Sequence, residues 1–233
     1  MKNHRILAIL SIVVIALSIA PFSFALQQEE QIGLLVLELR GGSKQLEVFA
    51  ISPVDDSMTN PDYELMGLHW ATTANYWINP NNRYGFSSSA IVNVLKTSAN
   101  TWDKETAFAV FSYKGTISRS AGKRDSYNVI SFGKYQAGAI AVTYLWYNRY
   151  TFQIVETDTK LNTVYGWSLT GETRKMDVQN IMTHEFGHWC GLDDLYGDVD
   201  YWLTMYGYGD YGETYKQTLG LGDINGLKAV YRS

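Results

Sequence analysis

The first pattern along the chain is an apolar run, Ile6 to Ala20, preceded by Lys2 and Arg5. Ser23-Phe24-Ala25 follows, with small residues three and one before a cut after Ala25. This is the order of a secretory signal peptide, so residues 1–25 read as a leader and the chain as secreted. The alternative is a retained anchor, with the protein on the membrane facing outside. The run is shorter than the ~20 residues that a spanning helix needs. Ile32–Leu39 and Gln45–Ile51 then alternate like strands around Arg40-Gly41-Gly42-Ser43-Lys44, the pattern of a hairpin. Pro53 to Pro61 is a turn-rich linker. Residues 26–68 are thus a pro-segment, an accessory hairpin or part of the main sheet.

From about His69 the periodicity switches between two and 3.6 residues. Ala74–Ile78 is a short strand ended by Asn79-Pro80-Asn81. Ile91, Val94, Leu95, Ser98 and Trp102 fall on one face of a helix over Ser87–Asp103, which Ser87, Ser88 or Ser89 caps. Strands are expected at Ala107–Tyr113, Tyr127–Phe132, Ala139–Tyr147 and Tyr150–Thr157. Asp177 caps a second helix running to Cys190, and Gly191 suits its left-handed C-terminal turn. A last helix, Asp223 to Tyr231, aligns Ile224, Leu227 and Tyr231. The fold class is α/β in the α+β sense.

Composition narrows the classes. The chain has 233 residues, 46% of them hydrophobic, which suits one globular domain after the leader. Its net charge is −4 with no basic stripe, which argues against a nucleic-acid partner. Cys190 is the only cysteine, so no intramolecular disulfide is possible. Stability must come from the core, with bound metal as a further source.

His184-Glu185-Phe186-Gly187-His188 lies on the second helix. Residues four apart stack on one helix face, so both imidazoles can reach one cation. Glu185 is rotated about 100° from His184, beside the metal, where a general base for water would stand. Catalytic zinc sites typically hold three protein ligands and one open position. Gly191 ends the helix and Asp194 follows, giving H-E-x-x-H-x-x-G-x-x-D. His184, His188 and Asp194 are therefore the expected metal ligands, with Asp193 as the rival carboxylate, and Glu185 the expected catalytic base. Two imidazoles and a carboxylate also suit non-haem iron; the Glu between the histidines argues for hydrolysis. Cys190 falls about 200° around the helix from His188 and is expected to pack in the core.

The string resembles that of the metzincin metallopeptidases, and within them the matrixins, with Asp194 where the third histidine stands. Thr204-Met205-Tyr206 is similar to the clan's Met-turn, in which the methionine forms a hydrophobic floor under the metal. Gly222-Asp223-Ile224-Asn225-Gly226-Leu227 is similar to the matrixin closing helix, and the match covers about 69–233. The resemblance implies a twisted mixed sheet of about five strands with three helices. It places the cleft between an upper sheet subdomain and a small C-terminal subdomain. It implies a secreted zinc endopeptidase with one catalytic zinc, acting on protein or peptide as a monomer, with a membrane partner only if the leader is kept as an anchor. An extended substrate would lie antiparallel to an edge strand near Gly138–Leu145, and Tyr206 to Thr218 would wall the pocket past the cut bond. Gly207 stands where some relatives carry a tyrosine ligand, so none is expected, although Tyr206 or Tyr208 would line the cleft. No structural zinc is expected at Ala141-Val142-Thr143. Asp158 or nearby carbonyls are the candidate ligands for a calcium ion. The alternative function is a non-catalytic metal-containing binding or adhesion module on the same scaffold.

Overall fold

Alternating Leu and charged residues near the start of the described chain form a long first strand, β1 (Ile32–Gly41). The computed structural model describes residues 31–42 and 57–231; the leader expected over 1–25 and the strand expected over Gln45–Ile51 lie outside them. Chain contacts divide the protein between Gln31 and Ile32, and the second unit holds every strand and α-helix among the described residues. Successive strands are β2 (Ala74–Asn79), β3 (Phe111–Thr116), β4 (Asn128–Gly133), β5 (Ala139–Asn148), β6 (Ile154–Asn162), β7 (Trp167–Ser168), β8 (Met176–Asp177) and β9 (Tyr208–Gly209). The α-helices are α1 (Ser88–Asp103), α2 (Val178–Trp189) and α3 (Leu221–Val230).

The main sheet is mixed, in the order β3-β2-β4-β6-β5-β1-β9, and β7 pairs with β8 separately. The α+β class and the three helices match the sequence reading, but the sheet has seven strands where about five were expected. β1 and β9 make the difference. β1 runs antiparallel to β5 from Ile32↔Asn148 to Arg40↔Ala139, and its end runs parallel to β9. The stretch near Gly138–Leu145, expected at an edge, is therefore internal: β1 supplies the backbone partners that an edge would leave unpaired. Among the described residues no helix is long and apolar enough to cross a membrane.

Two strand starts differ from expectation for local reasons. Asp103 accepts hydrogen bonds from the amides of Val110 (2.8 Å) and Phe111 (3.3 Å), which holds the approach to β3 as a turn, so the strand starts at Phe111. The Asn148 side chain accepts from the amides of Tyr150 (2.9 Å) and Thr151 (3.0 Å), a turn that delays β6 to Ile154.

The Ser87 hydroxyl caps α1 by accepting from the Ala90 amide, and Ile91, Leu95, Ser98, Ala99 and Trp102 form its buried face. Almost all of α2 is buried. Polar backbone at depth needs partners, and indoles supply several. Trp102 donates to the Thr183 carbonyl and Trp70 to the Trp189 carbonyl, both at 2.8 Å. Phe186 and Trp189 pack edge-on against Tyr76. α2 is thereby fixed beneath the sheet, with its sequence-predicted ligands inside the protein.

Candidate metal centre

The Asp177 carboxylate caps α2 through the Asn180 amide at 2.9 Å, the capping role expected of it. Twelve residues of helix then carry His184, Glu185 and His188 into the interior, where each is fully buried. The helix stops at Gly191. Its φ of +95° is in the left-handed region, and an added Cβ would strike the Leu68 carbonyl oxygen. The chain turns back there and returns Asp194 to the histidines.

Each histidine is held by one ring nitrogen. His184 Nδ1 is 2.8 Å from the Thr204 carbonyl and His188 Nδ1 is 2.9 Å from the Leu192 carbonyl. A carbonyl can only accept, so both Nδ1 atoms carry protons, and in the neutral ring each Nε2 presents a lone pair. Those atoms lie 3.3 Å and 3.6 Å from Asp194 Oδ1. The other oxygen, Oδ2, accepts from the Tyr196 hydroxyl at 3.1 Å. His184, His188 and Asp194 form a group that could hold a metal ion, the one such group of three or more His, Cys, Asp or Glu among the described residues. Asp193 is not in it: its Oδ1 accepts from the Asp194 amide at 2.8 Å, which closes the turn. The donor set fits a divalent cation, because His184 Nε2, His188 Nε2 and Asp194 Oδ1 are buried acceptors with no hydrogen-bond donor.

Glu185 is arranged the same way. The Trp189 indole donates to Thr159 Oγ1 at 2.8 Å, Thr159 meets Thr143 Oγ1 at 2.6 Å, and Thr143 donates to Glu185 Oε2 at 2.5 Å. The row of donors runs toward the carboxylate, fixing one oxygen and leaving Oε1 buried without a partner.

Electrostatics follow from depth. Burial disfavours the imidazolium, and the His184 ring is lowered to about 4 despite the pull of Asp194. Burial raises Glu185 to about 7, against the attraction of His188 and the Thr143 hydrogen bond. For Asp194 burial also pushes upward. The two imidazoles beside it and the Tyr196 hydroxyl outweigh that and hold the carboxyl at about 2. An imidazole at His184 whose neutral form burial favours, beside an ionised Asp194 carboxylate, suits a bound metal.

Met205, buried in the core, packs against Gly187, between the two histidines. A Cβ at Gly187 would strike Met205 Sδ and come within 2.8 Å of Trp102 Cζ2. The turn carrying Met205 is pinned by Asp223, which accepts from the amides of Thr204 (2.9 Å), Met205 (3.0 Å) and Gly220 (2.7 Å). Lys216 is fully buried and donates to the carbonyls of Tyr206 and Tyr208, tying the next loop beside the site. Tyr208 lines the cleft and Tyr206 is buried behind it. A side chain at Gly207 would meet the Tyr196 ring at 2.5 Å, disturbing the residue that holds Asp194. Cys190 is buried in the core as expected, and burial pushes its thiol up.

Asp158, the calcium candidate, is outside the metal-capable group. Its oxygens accept from the amides of Gly122 (2.6 Å), Lys123 (3.2 Å) and Val129 (2.7 Å), so it pins a loop. Sequence reasoning missed Thr143, Tyr196, Asp223 and Lys216, each of which acts on the site through contacts made only in the folded chain.

No family model matches this chain. No curated protein matches it either. The functional reading therefore rests on the residues and their geometry.

Proposed function

We propose that the protein is a secreted, zinc-dependent endopeptidase of metzincin type, with His184, His188 and Asp194 as metal ligands and Glu185 as general base. One observation carries this reading: two Nε2 atoms and Asp194 Oδ1 are buried within 4.8 Å of one another without donors, and Oε1 of Glu185, next to His184 in the chain, is buried without one as well. Leaving a buried polar atom unsatisfied costs about 1–3 kcal/mol, so such a concentration points to a ligand the chain is built to receive. Bound zinc would supply Lewis acidity, polarising a carbonyl and acidifying water.

The remaining work falls to the chain. Glu185 Oε1 takes a proton from the attacking water and returns it to the leaving amine, while Thr143 holds Oε2 still. Tyr196 keeps Asp194 turned so that Oδ1 faces the two rings. Asp194, Tyr196 and Tyr208 line a cleft of about 690 Å³, room for an extended segment of polypeptide. A carboxylate beside the ligands, held by a dedicated hydroxyl, favours hydrolysis over iron chemistry and over a metal-containing binding module. The leader pattern of residues 1–25 supports export.

The test is digestion of an unstructured protein such as casein by the zinc-loaded chain, with Glu185→Ala and chelator controls and a metal assay. Cleavage that both controls abolish, at one zinc per chain, is the expected result. One zinc per chain with no cleavage would make the protein a binding module, and cleavage surviving Glu185→Ala would remove the base assignment.

A further inference from the structure

The loop that follows Met205 borders a second cavity, of about 460 Å³, opposite the turn that carries Tyr201 and Trp202. Its lining is aromatic and acidic: Tyr201, Trp202, Tyr211 and Tyr215 line it with Asp210 and Glu213, and no described lysine or arginine does. Trp202 stands steeply across both phenol rings beside it, 4.7 Å from Tyr201 at 86° and 5.0 Å from Tyr215 at 74° between ring planes. Rings set at such angles meet at a corner instead of stacking shut, and an uncovered ring face attracts a cation. Tyr201 and Trp202 are half-buried and Tyr211 is exposed, so solvent reaches the corner.

The charges add to that attraction. Glu213 Oε1 accepts from Asn180 Nδ2 at 2.9 Å and lies 3.4 Å from the buried Lys216 Nζ, so much of its charge is met inside the protein. Asp210 accepts from the Tyr211 amide at 2.7 Å, a neutral donor that leaves its charge in place. Burial raises the Tyr201 phenol, and the charges of Glu213 and Asp210 raise it further, as a negative potential at the rings should. Lys175, whose carbonyl accepts from the Gly212 amide, turns its ammonium to Glu172 at 2.7 Å. Lys216 Nζ, 5.8 Å from the Tyr215 ring centre, already uses cation–ring attraction from within the core.

Rings in contact join this pocket to the metal cleft. Tyr196, which holds Asp194, is 5.5 Å from Tyr208; Tyr208 is 5.7 Å from Tyr206, and Tyr206 is 5.4 Å from Tyr201. An extended peptide advances about 3.3 Å per residue, so one crossing the metal reaches the pocket in roughly five residues.

We propose that this pocket is an exosite for a cationic side chain, arginine or lysine, carried by the peptide substrate on the order of five residues from the cut bond. This rests on the peptidase reading above. A guanidinium can lie on the indole while pairing with Asp210, and an ammonium can enter the same corner as a point charge.

The first probe needs no turnover. Acetyl-arginine methylamide, its lysine counterpart and its citrulline counterpart, which has the shape of arginine without the charge, are titrated into the full chain. The readout is the indole N–H resonance of Trp202, assigned by its loss in Trp202→Phe. A saturable shift with arginine and lysine is expected, with citrulline at least about threefold weaker, and Asp210→Asn should weaken the arginine response about fivefold while keeping the acceptor for Tyr211. An equal response to citrulline, or a response to methyl glucoside alone, overturns the proposal. The second probe uses cleavage. Peptide pairs carry arginine or citrulline at one position, roughly three to seven residues from a cut mapped in the casein digest. The ratio of kcat/KM within a pair is expected to reach about fivefold at one offset and to fall toward one in Asp210→Asn. A ratio near one at every offset overturns the proposal. No cleavage of any peptide removes the peptidase reading alone, and the indole titration then decides the pocket by itself.

Discussion

Replacing Glu185 by Gln in the metal-free protein should stabilise the fold, and increasingly so as pH rises. Burial lifts this carboxyl from an ordinary 4.5 to about 7. Between those values the folded chain keeps the proton that the unfolded chain has released. A group with a raised folded value contributes stability below about 4.5 that is lost as pH climbs through about 7. Near pH 8 a charge is buried in the folded protein, at a cost of about 3 kcal/mol by linkage. Gln keeps the shape and the acceptor for Thr143 but never ionises. The difference in unfolding free energy, variant minus parent, should therefore rise from near zero at pH 4.5 to about 3 kcal/mol at pH 8. His184, lowered to about 4 by burial, has the opposite sign: its stabilisation is lost as pH falls from about 6.5 through 4. That contribution is common to both proteins and largely cancels in the difference. Urea titrations at several pH values in chelator measure it. Saturating zinc should flatten the curve, because a cation beside the carboxylate favours its charged form. A difference that stays near zero at every pH without metal would refute the claim that Glu185 is held protonated by burial.

The other predictions concern the groups around the ligands. Thr143→Val removes the donor to Glu185 Oε2, so the base becomes harder to ionise and the acidic limb of kcat/KM should move up by about one pH unit; an unmoved limb would limit Thr143 to packing. Tyr196→Phe frees Asp194 Oδ2, and zinc affinity by competition titration should fall about 10–100-fold, as for other outer-layer partners, while Asp194→Asn should cost more. Gly187→Ala drives a methyl into Met205 and Trp102; overpacking of about 1–3 kcal/mol should exceed the ~1 kcal/mol that Ala gains over Gly in a helix, so the melting temperature falls.

What the sequence made legible was local. His184 and His188 could be paired because a helix fixes residues four apart, and Gly191 signalled the turn that returns Asp194. Asp177 as a cap and Cys190 as a core thiol follow from the same short-range geometry. The role of β1 was not legible, because antiparallel pairing with β5 joins segments about a hundred residues apart and its alternation suits a hairpin equally well. Thr143 read as one strand residue among many; only the approach of β5 to α2 gives its hydroxyl a carboxylate to hold. Lys216 has no sequence signal at all, since lysines are rarely buried, and its role depends on carbonyls that converge only after folding.

These long-range contacts share one logic. Each functional side chain has two polar ends, and the fold uses one to hold it and leaves the other free. His184 is held by Thr204, His188 by Leu192, Asp194 by Tyr196 and Glu185 by Thr143. The holding groups come from the turn ahead of Met205, the helix end, the returning loop and β5. An apolar core alone would not orient four polar side chains so consistently, because each free end forfeits about 1–3 kcal/mol of solvation when nothing meets it. The surrounding core, with Trp102, Phe186 and Trp189 closed around α2, offsets that cost. A cation binding the free ends would recover it, so the arrangement stores in the folded chain much of the ordering that metal binding would otherwise require. Removing a holding group should then weaken metal binding even when all three ligands remain, and this separates a prepared site from three donors that meet by chance.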